Sequence, residues 1–315
     1  MYYIIVNPAS RSGKGAKLWA DVEPMLKDKA VPYKVFFSQR AGHVSELVRN
    51  ISDAVLNKDP SQILKLIVLG GDGTINEVLQ GITDFDRTQV GYLPTGSSND
   101  LARDLKPGKN SAAILDRILS CTKPFLMDIG QLTYKEPDGS MNMRYYIGSC
   151  GIGYDAAVCK EALTSKCKVI FNKLGLGKLT YLVIALKQLL ATKKISCTYT
   201  LDNNETFTLP KFFFVAFMQH KYEGGGFMFC PDADCQDGLL DICVAGNIPK
   251  WKVLIILPFA LKGKHYGFKG VAFHRSATLT LSSSAPLWVH TDGEAVANTD
   301  LVTATCLKQK LQFLY

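Results

Sequence analysis

The chain has no apolar run of the roughly 20 residues needed to cross a bilayer. The apolar stretch 179–190 is interrupted by Lys187 and Gln188, and 253–261 contains Pro258. The Met1 end lacks the basic start and long apolar core of a signal peptide; it reads as a short buried strand that breaks at Asn7-Pro8. No Cys-x-x-Cys pair occurs among nine scattered cysteines, and Cys230, Cys235 and Cys243 match no zinc spacing. Reduced thiols in a cytoplasmic protein are therefore expected. A Walker A loop is missing, as is any internal repeat or low-complexity tract. Acidic residues are missing from 242–290, which carries six Lys or Arg, and 160–194 holds eight Lys against the single acid Glu161. Within a net charge of +8, such surfaces suit nucleic acid, an anionic membrane or a plain solvated helix face.

What is present fits two globular domains in 315 residues. Over the first third, strand-like runs at 2–6, 33–37, 64–69 and 90–93 alternate with helical patterns at about 16–29, 43–56 and from about Asn76. Repeated strand–loop–helix units predict a parallel sheet covered on both faces. Near Phe125 the pattern changes to short strands (126–133, 144–149, 196–201, 212–219, 239–245, 277–281, 287–290, 301–305), interrupted by a helical insert at roughly 155–190. Short strands between turn residues predict an antiparallel sandwich or barrel. The expected domains are thus 1–125, an α/β domain to which about 300–315 returns, and 126–299, an all-β domain carrying the insert.

Three strand ends bear residues suited to chemistry. In Gly70-Gly71-Asp72-Gly73-Thr74-Ile75-Asn76, glycines let backbone approach a ligand, ahead of a helix start whose amides favour phosphate. An aspartate there repels phosphate unless a cation intervenes, so Asp72 implies Mg²⁺ nearby; a tight Asp-Gly turn is the plainer alternative. The segment Pro94-Thr95-Gly96-Ser97-Ser98-Asn99-Asp100 adds hydrogen-bonding groups at Ser97 and Asn99 and a second carboxylate at Asp100, or forms a simple helix N-cap. The first strand ends in Asn7-Pro8-Ala9-Ser10-Arg11-Ser12-Gly13-Lys14-Gly15, whose glycines, hydroxyls and Lys14 suit a nucleotide pocket. His43 and His290, at a helix start and a strand end, read as capping or packing residues.

In this order the three loops resemble the diacylglycerol kinase catalytic-domain superfamily, especially its bacterial soluble lipid kinases. The resemblance runs over nearly the whole chain, through Asp128-Ile129-Gly130, Gly151-Ile152-Gly153-Tyr154-Asp155, Gly224-Gly225-Gly226, Asp237-Gly238-Leu239-Leu240-Asp241 and His290-Thr291-Asp292-Gly293-Glu294. It implies a phosphofructokinase-like parallel α/β domain, a C-terminal antiparallel β-sandwich domain, and ATP in the cleft between them. It implies transfer of the ATP γ-phosphoryl to a lipid hydroxyl. Asn7, Ser38, Gly70 to Asn76 and Ser97 match nucleotide-contacting positions; Ser38 stands where relatives commonly have threonine and keeps the hydroxyl. Asp292 matches the general base, with Glu294 beside it in an acidic metal–water network to which Asp72, Asp100 and Asp128 also correspond. Asp234, Asp237 and the Leu239 carbonyl match a structural Mg²⁺ site. A carboxylate base and charge neutralisation by amides and Mg²⁺ are what phosphoryl transfer to a weakly nucleophilic hydroxyl requires.

The acceptor is less legible, and diacylglycerol is the family-level default. Apolar residues of the insert (Val169, Ile170, Phe171, Leu174, Leu176, Leu179, Leu182, Val183, Leu186), interleaved with lysines, suit an anionic membrane surface at the inner face of the membrane. Packing on the β domain, or on a second subunit of a homodimer, suits them equally. An NAD kinase shares the Gly-Gly-Asp-Gly loop but pairs it with an Asn-Glu motif, where this chain has Gly-Ser-Ser-Asn-Asp. A non-catalytic nucleotide- or lipid-binding regulator would lack the base or the loop carboxylates. A nucleic-acid-binding module would explain the lysines but not the acidic glycine loops, so no nucleic-acid partner is expected.

Overall fold

Strands β1 (Tyr2–Val6), β2 (Tyr33–Phe37), β3 (Leu64–Gly70) and β4 (Thr88–Pro94) pair in parallel in the order β2-β1-β3-β4. The computed structural model describes residues 1–108, 110–164, 177–193 and 195–315. The chain forms two units, one of Met1–Ile129, Cys235–Asp237 and Leu307–Tyr315, the other of Gly130–Asp234 and Gly238–Cys306. The division falls inside β5 (Phe125–Lys135), past the residue at which the sequence pattern changes. In the first unit, the end of β13 (Glu294–Leu314) adds in parallel to β4, at Gln312 to Leu314.

Parallel strands need crossovers, and helices α1 (Ser10–Asp28), α2 (His43–Leu56) and α3 (Asp72–Gly81) supply them, with α4 (Asp100–Leu105) and α5 (Ser111–Ser120) after β4. Val44, Val48, Ile51 and Val55 recur at helical spacing and are the buried stripe of α2. Ile4, Ile67 and Leu93 of the sheet pack with Trp19 and Val22 of α1 and Leu115 of α5 in one apolar core. One helix start agrees with expectation and one differs. α1 is broken by left-handed backbone at Arg11, Ser12 and Gly13, so its regular part follows them. α3 starts at Asp72, four residues before the expected Asn76, because Gly71 is extended and its carbonyl already accepts the Thr74 and Ile75 amides.

In the second unit, β6 (Met141–Tyr146), β7 (Ser149–Gly153), β8 (Ile195–Leu201), β9 (Thr206–Met218), β10 (Leu240–Gly246), β11 (Val271–Ser276) and β12 (Thr278–Thr291) join β5 and β13 in antiparallel pairs. β12 is one continuous strand where two were expected, and it pairs with β8 at one end and β7 at the other. β9 does the same. Val215 and Phe217 point into one core while Phe214, Ala216 and Met218 point into a second, so the half of β9 from Phe212 to Met218 is apolar throughout rather than alternating. The second core is covered by α6 (Tyr154–Thr164), α7 (Gly177–Ala191) and α8 (Lys250–Ala260) through Tyr154, Leu189, Val253 and Ala260. The apolar stretch around 253–261 is thus a helix. The part of the insert that includes Val169, Ile170, Phe171, Leu174 and Leu176 lies outside the described residues.

Candidate active site

Parallel register lines up the carboxyl ends of β1, β2, β3 and β4: Val6 sits beside Phe37 and Leu69, and Gly70 beside Pro94. The residues that leave those ends therefore share one edge of the first unit's sheet. The ladders extend one step into the loops, with the amides of Asn7, Ser38 and Thr95 donating to Leu69, Val6 and Gly70 at 2.9, 2.9 and 2.7 Å. Side chains then tie loop to loop. Asn7 Nδ2 donates to Thr74 Oγ1 at 3.0 Å, and the hydroxyls of Ser10 and Thr95 meet at 2.6 Å. The Asp100 amide donates to Asp72 Oδ2 at 3.0 Å, and Arg103 holds Asp100 Oδ1 at 2.9 Å. Glu77 pins the segment after Ser38 by accepting from the Gly42 and Val44 amides, each at 3.0 Å.

The glycines have a structural cause. A Cβ at Gly71 would lie 2.9 Å from Gly96 Cα, and one at Gly96 would lie 2.7 Å from Gly71 Cα, so two backbones pass where no side chain fits. Gly71→Ala is expected to force the two loops apart and lower stability by about 1–3 kcal/mol, as overpacking does. Thermal unfolding checks this; an unchanged midpoint would mean the loops have slack.

The expected nucleotide residues differ in what they expose. Ser97 is exposed and Ser38 nearly buried, while Ile75 and Asn76 are fully buried, so those two can reach a ligand only through backbone. Asp128 is fully buried in β5, and its Oδ1 accepts the Gln309 amide at 2.6 Å, an anchor for the returning C-terminal segment. Tyr92 was not singled out from sequence. Its buried phenol is held well above the ordinary pKa by burial and then by the charges of Asp72 and Asp100. The strand pattern marks position 92 as apolar core and carries no hint of that polar neighbourhood.

In the second unit, Asp292 and Gly293 both have positive φ and form the two-residue turn between β12 and β13, as a type I′ hairpin demands. The ordinary-turn reading of Asp-Gly is therefore true, and it does not exhaust the residue. Asp292 Oδ1 accepts from Gly148 and Ser149 at 2.8 and 3.0 Å, and Oδ2 from Ile147 at 3.0 Å. This three-amide cradle separates β6 from β7 where a single strand was expected. Glu294 is paired with Arg144 at 2.6 Å.

His290 packs and caps as expected, fully buried and accepting the Gly293 amide at Nδ1, and it also meets two carboxylates. Its Nε2 lies 2.9 Å from Glu223 Oε1 and 3.2 Å from Asp155 Oδ2. Burial alone would depress its pKa, but the Cys159 sulfur and the Glu223 and Asp155 carboxylates outweigh burial and hold it well above the ordinary value. A Cβ at Gly151 would lie 2.0 Å from Asp155 Oδ2 and 2.4 Å from His290 Nε2, which explains that glycine. The three ligand atoms lie within 4.8 Å of one another, close enough for a metal. A metal-bound histidine, however, donates its other N–H to an acceptor, and here Nδ1 faces a donor, the Gly293 amide at 3.2 Å. The group is better suited to hold a proton. His43 also caps, accepting the Gln39 amide at 3.1 Å.

Of the residues matched to a structural Mg²⁺ site, Asp234 and Leu239 belong to the second unit and Asp237 to the first. Asp241, two residues beyond Leu239, has a carboxyl pushed up to about 6 by burial; the Asp234 amide opposes the shift and the Asp232 and Asp234 carboxylates add to it.

Two family models match the chain: diacylglycerol kinase catalytic domain over residues 1–131, and YegS C-terminal NAD kinase beta sandwich-like domain over residues 148–315. The provisionally named lipid kinase YtlR of Bacillus subtilis (strain 168) is 27% identical over 300 residues, 95% of this chain and 94% of the relative. A diacylglycerol kinase of Mycobacterium tuberculosis (strain CDC 1551 / Oshkosh) is 25% identical over 291 residues, 92% of this chain and 87% of that one. A solved Bacillus anthracis str. Sterne protein, provisionally named a diacylglycerol kinase, shares the fold, with TM-score 0.72 and 19% identity over 100% of this chain and 96% of that one.

Proposed function

We propose that this chain, which belongs to the diacylglycerol kinase catalytic-domain superfamily and is a lipid kinase, transfers the γ-phosphoryl of ATP to a hydroxyl of diacylglycerol in an Mg²⁺-dependent reaction, giving phosphatidic acid. The observation that carries the reading is the gathering of four strand-end loops on one sheet edge, cross-tied from Asn7 to Thr74 and from Asp72 to Asp100. Backbone amides at helix starts and close-packed glycines suit a polyphosphate, and ligands of open α/β sheets bind at the carboxyl ends of strands. On this reading Asn7, Ser38, the Gly70–Asn76 backbone and Ser97 hold ATP. Asp72 and Asp100, joined by the Asp100 amide's hydrogen bond to Asp72 Oδ2, are a carboxylate donor set that a hard cation fits, and they would hold Mg²⁺, which when bound neutralises charge on the phosphates. Asp128 supports the site through the segment it anchors.

Asp292, aimed by its three amides, takes the proton of the acceptor hydroxyl, and Arg144 orients Glu294 beside it. The same reading makes the first unit phosphofructokinase-like and the second a β-sandwich. The test is a labelled-ATP assay across diacylglycerol, sphingosine, phosphatidylglycerol, undecaprenol and NAD, with and without chelator. Label is expected in phosphatidic acid, with turnover falling about 100-fold or more once divalent cation is removed. Label in NAD alone would overturn the assignment.

A further inference from the structure

Helix α8 is apolar on two faces. Val253, Ile256 and Ala260 are buried, and Val253 and Ala260 pack with Phe213, Phe214 and Cys243. On the other face Trp251, Leu254, Ile255 and Phe259 are 64, 46, 46 and 43% exposed, and Leu261 follows at 47%. A surface helix ordinarily turns charged and polar side chains to water; here the outward face carries four large apolar groups. Lys250 Nζ donates to the Leu190 carbonyl at 2.6 Å, which joins α8 to the end of α7. There Leu190 is 78% exposed, the last of an outward stripe with Val183 and Leu186. Lys250, Lys262, Lys264 and Lys269 are exposed around α8, and 242–290 contains no Asp or Glu.

We propose that α8, continued at Leu190, is the surface by which this protein lies on an anionic lipid bilayer. The proposal rests on the lipid-kinase reading only for its purpose, not for its evidence. A helix of 11 residues is too short to span a bilayer, but tryptophan and aliphatic side chains flanked by lysines suit the boundary between headgroups and acyl chains. The lysines select the occupant. A second copy of the chain, meeting this patch with the same patch, would set four exposed lysines against four, with no acid in 242–290 to pair them. Anionic headgroups over hydrocarbon answer both the charge and the apolar face.

The test is cosedimentation of the full chain with vesicles of phosphatidylcholine alone or mixed with phosphatidylglycerol, at low and raised salt. Wild type is expected to pellet with the anionic vesicles, less so as salt rises. A Trp251→Ser/Leu254→Ser/Ile255→Ser variant and a Lys262→Glu/Lys264→Glu variant should each lower partitioning by about tenfold or more. All five side chains are exposed, so the melting temperature should hold, as should activity on a dissolved short-chain acceptor, while activity on a vesicle-borne acceptor falls with binding. Equal pelleting of wild type and both variants would overturn the proposal. So would a wild type that ignores vesicles yet sediments as a dimer that the triple variant dissociates. Vesicle binding that depends on α8, in a protein that phosphorylates none of the lipids tested, would uphold this surface and sink the lipid-kinase reading instead.

Discussion

Asp292→Asn is expected to lower kcat by about 10²–10⁴-fold, the usual contribution of a positioned general base, while leaving the affinity for ATP near its wild-type value. The second half of that expectation follows from the division of labour: the proposed ATP groups lie in the first unit and Asp292 in the second. The substitution is informative because the backbone tolerates it. Asparagine accepts positive φ, and Asn-Gly is a favoured type I′ pair. The side chain is not innocent, however. Oδ1 receives two amides and Oδ2 one, so the better orientation keeps the carbonyl on Gly148 and Ser149 and turns an NH₂ toward the Ile147 amide. Two donors then face each other, at about 1–3 kcal/mol. A fall in melting temperature is therefore expected beside the fall in turnover, and the two are separable. Kinetics measured well below the melting transition report the base; denaturation reports the cradle. A variant that is destabilised but retains kcat within a few-fold would show Asp292 to be the keystone of a hairpin and nothing more.

The α/β character of the first unit was legible because parallel strands buried on both faces are written as near-continuous apolar runs, and Tyr2–Val6 and Leu64–Gly70, the latter interrupted only by Lys65, are such runs. The second unit was legible in class but not in segmentation. Ser282 to Leu287 of β12 contains Ser, Ala and Pro and looks like a loop, yet the strand runs through it because its register slips there rather than ending. Conversely, the strand-like segment 144–149 is cut where Asp292 accepts from three consecutive amides, a long-range cause with no local trace. The glycine motifs pointed to the strand ends correctly as places, but for Gly71 and Gly96 the pressure visible in the structure is backbone crossing backbone. The largest omission was the group around His290. Asp155, Glu223 and His290 are separated by 68 and 67 residues in the sequence, and nothing in any one segment announces that β12 and α6 will bring them together. Glu223 was masked by the three glycines that follow it. The apolar face of α8 was visible as a hydrophobic stretch, but only its exposure distinguishes it from core.

That buried group carries the second large expectation. His290→Ala should destabilise the protein by about 3–5 kcal/mol, because it removes the one histidine between two carboxylates of a buried charge group. His290 has no exposure, and Glu223 is 8% exposed. The pH dependence has a definite sign. The folded-state pKa of His290 lies above its unfolded value of about 6.5, so the histidine binds its proton more tightly in the native state. Its stabilisation is complete below about pH 6.5 and is lost as pH rises through the elevated native value. The imidazolium gives up the 3.2 Å contact from Gly293 and keeps both carboxylates, so a small loss at the turn accompanies a large gain in the core. The difference in unfolding free energy between wild type and variant should therefore be widest in mildly acidic solution and narrow toward alkaline pH. His290→Gln, whose amide can donate to one carboxylate but carries no charge, should fall between the two and show little of that pH slope. Denaturant titrations at several pH values measure all three proteins. A constant gap across pH would assign His290 to packing alone, whereas a closing gap would identify the proton as what holds α6, β12 and the Glu223 loop together behind the Asp292 turn.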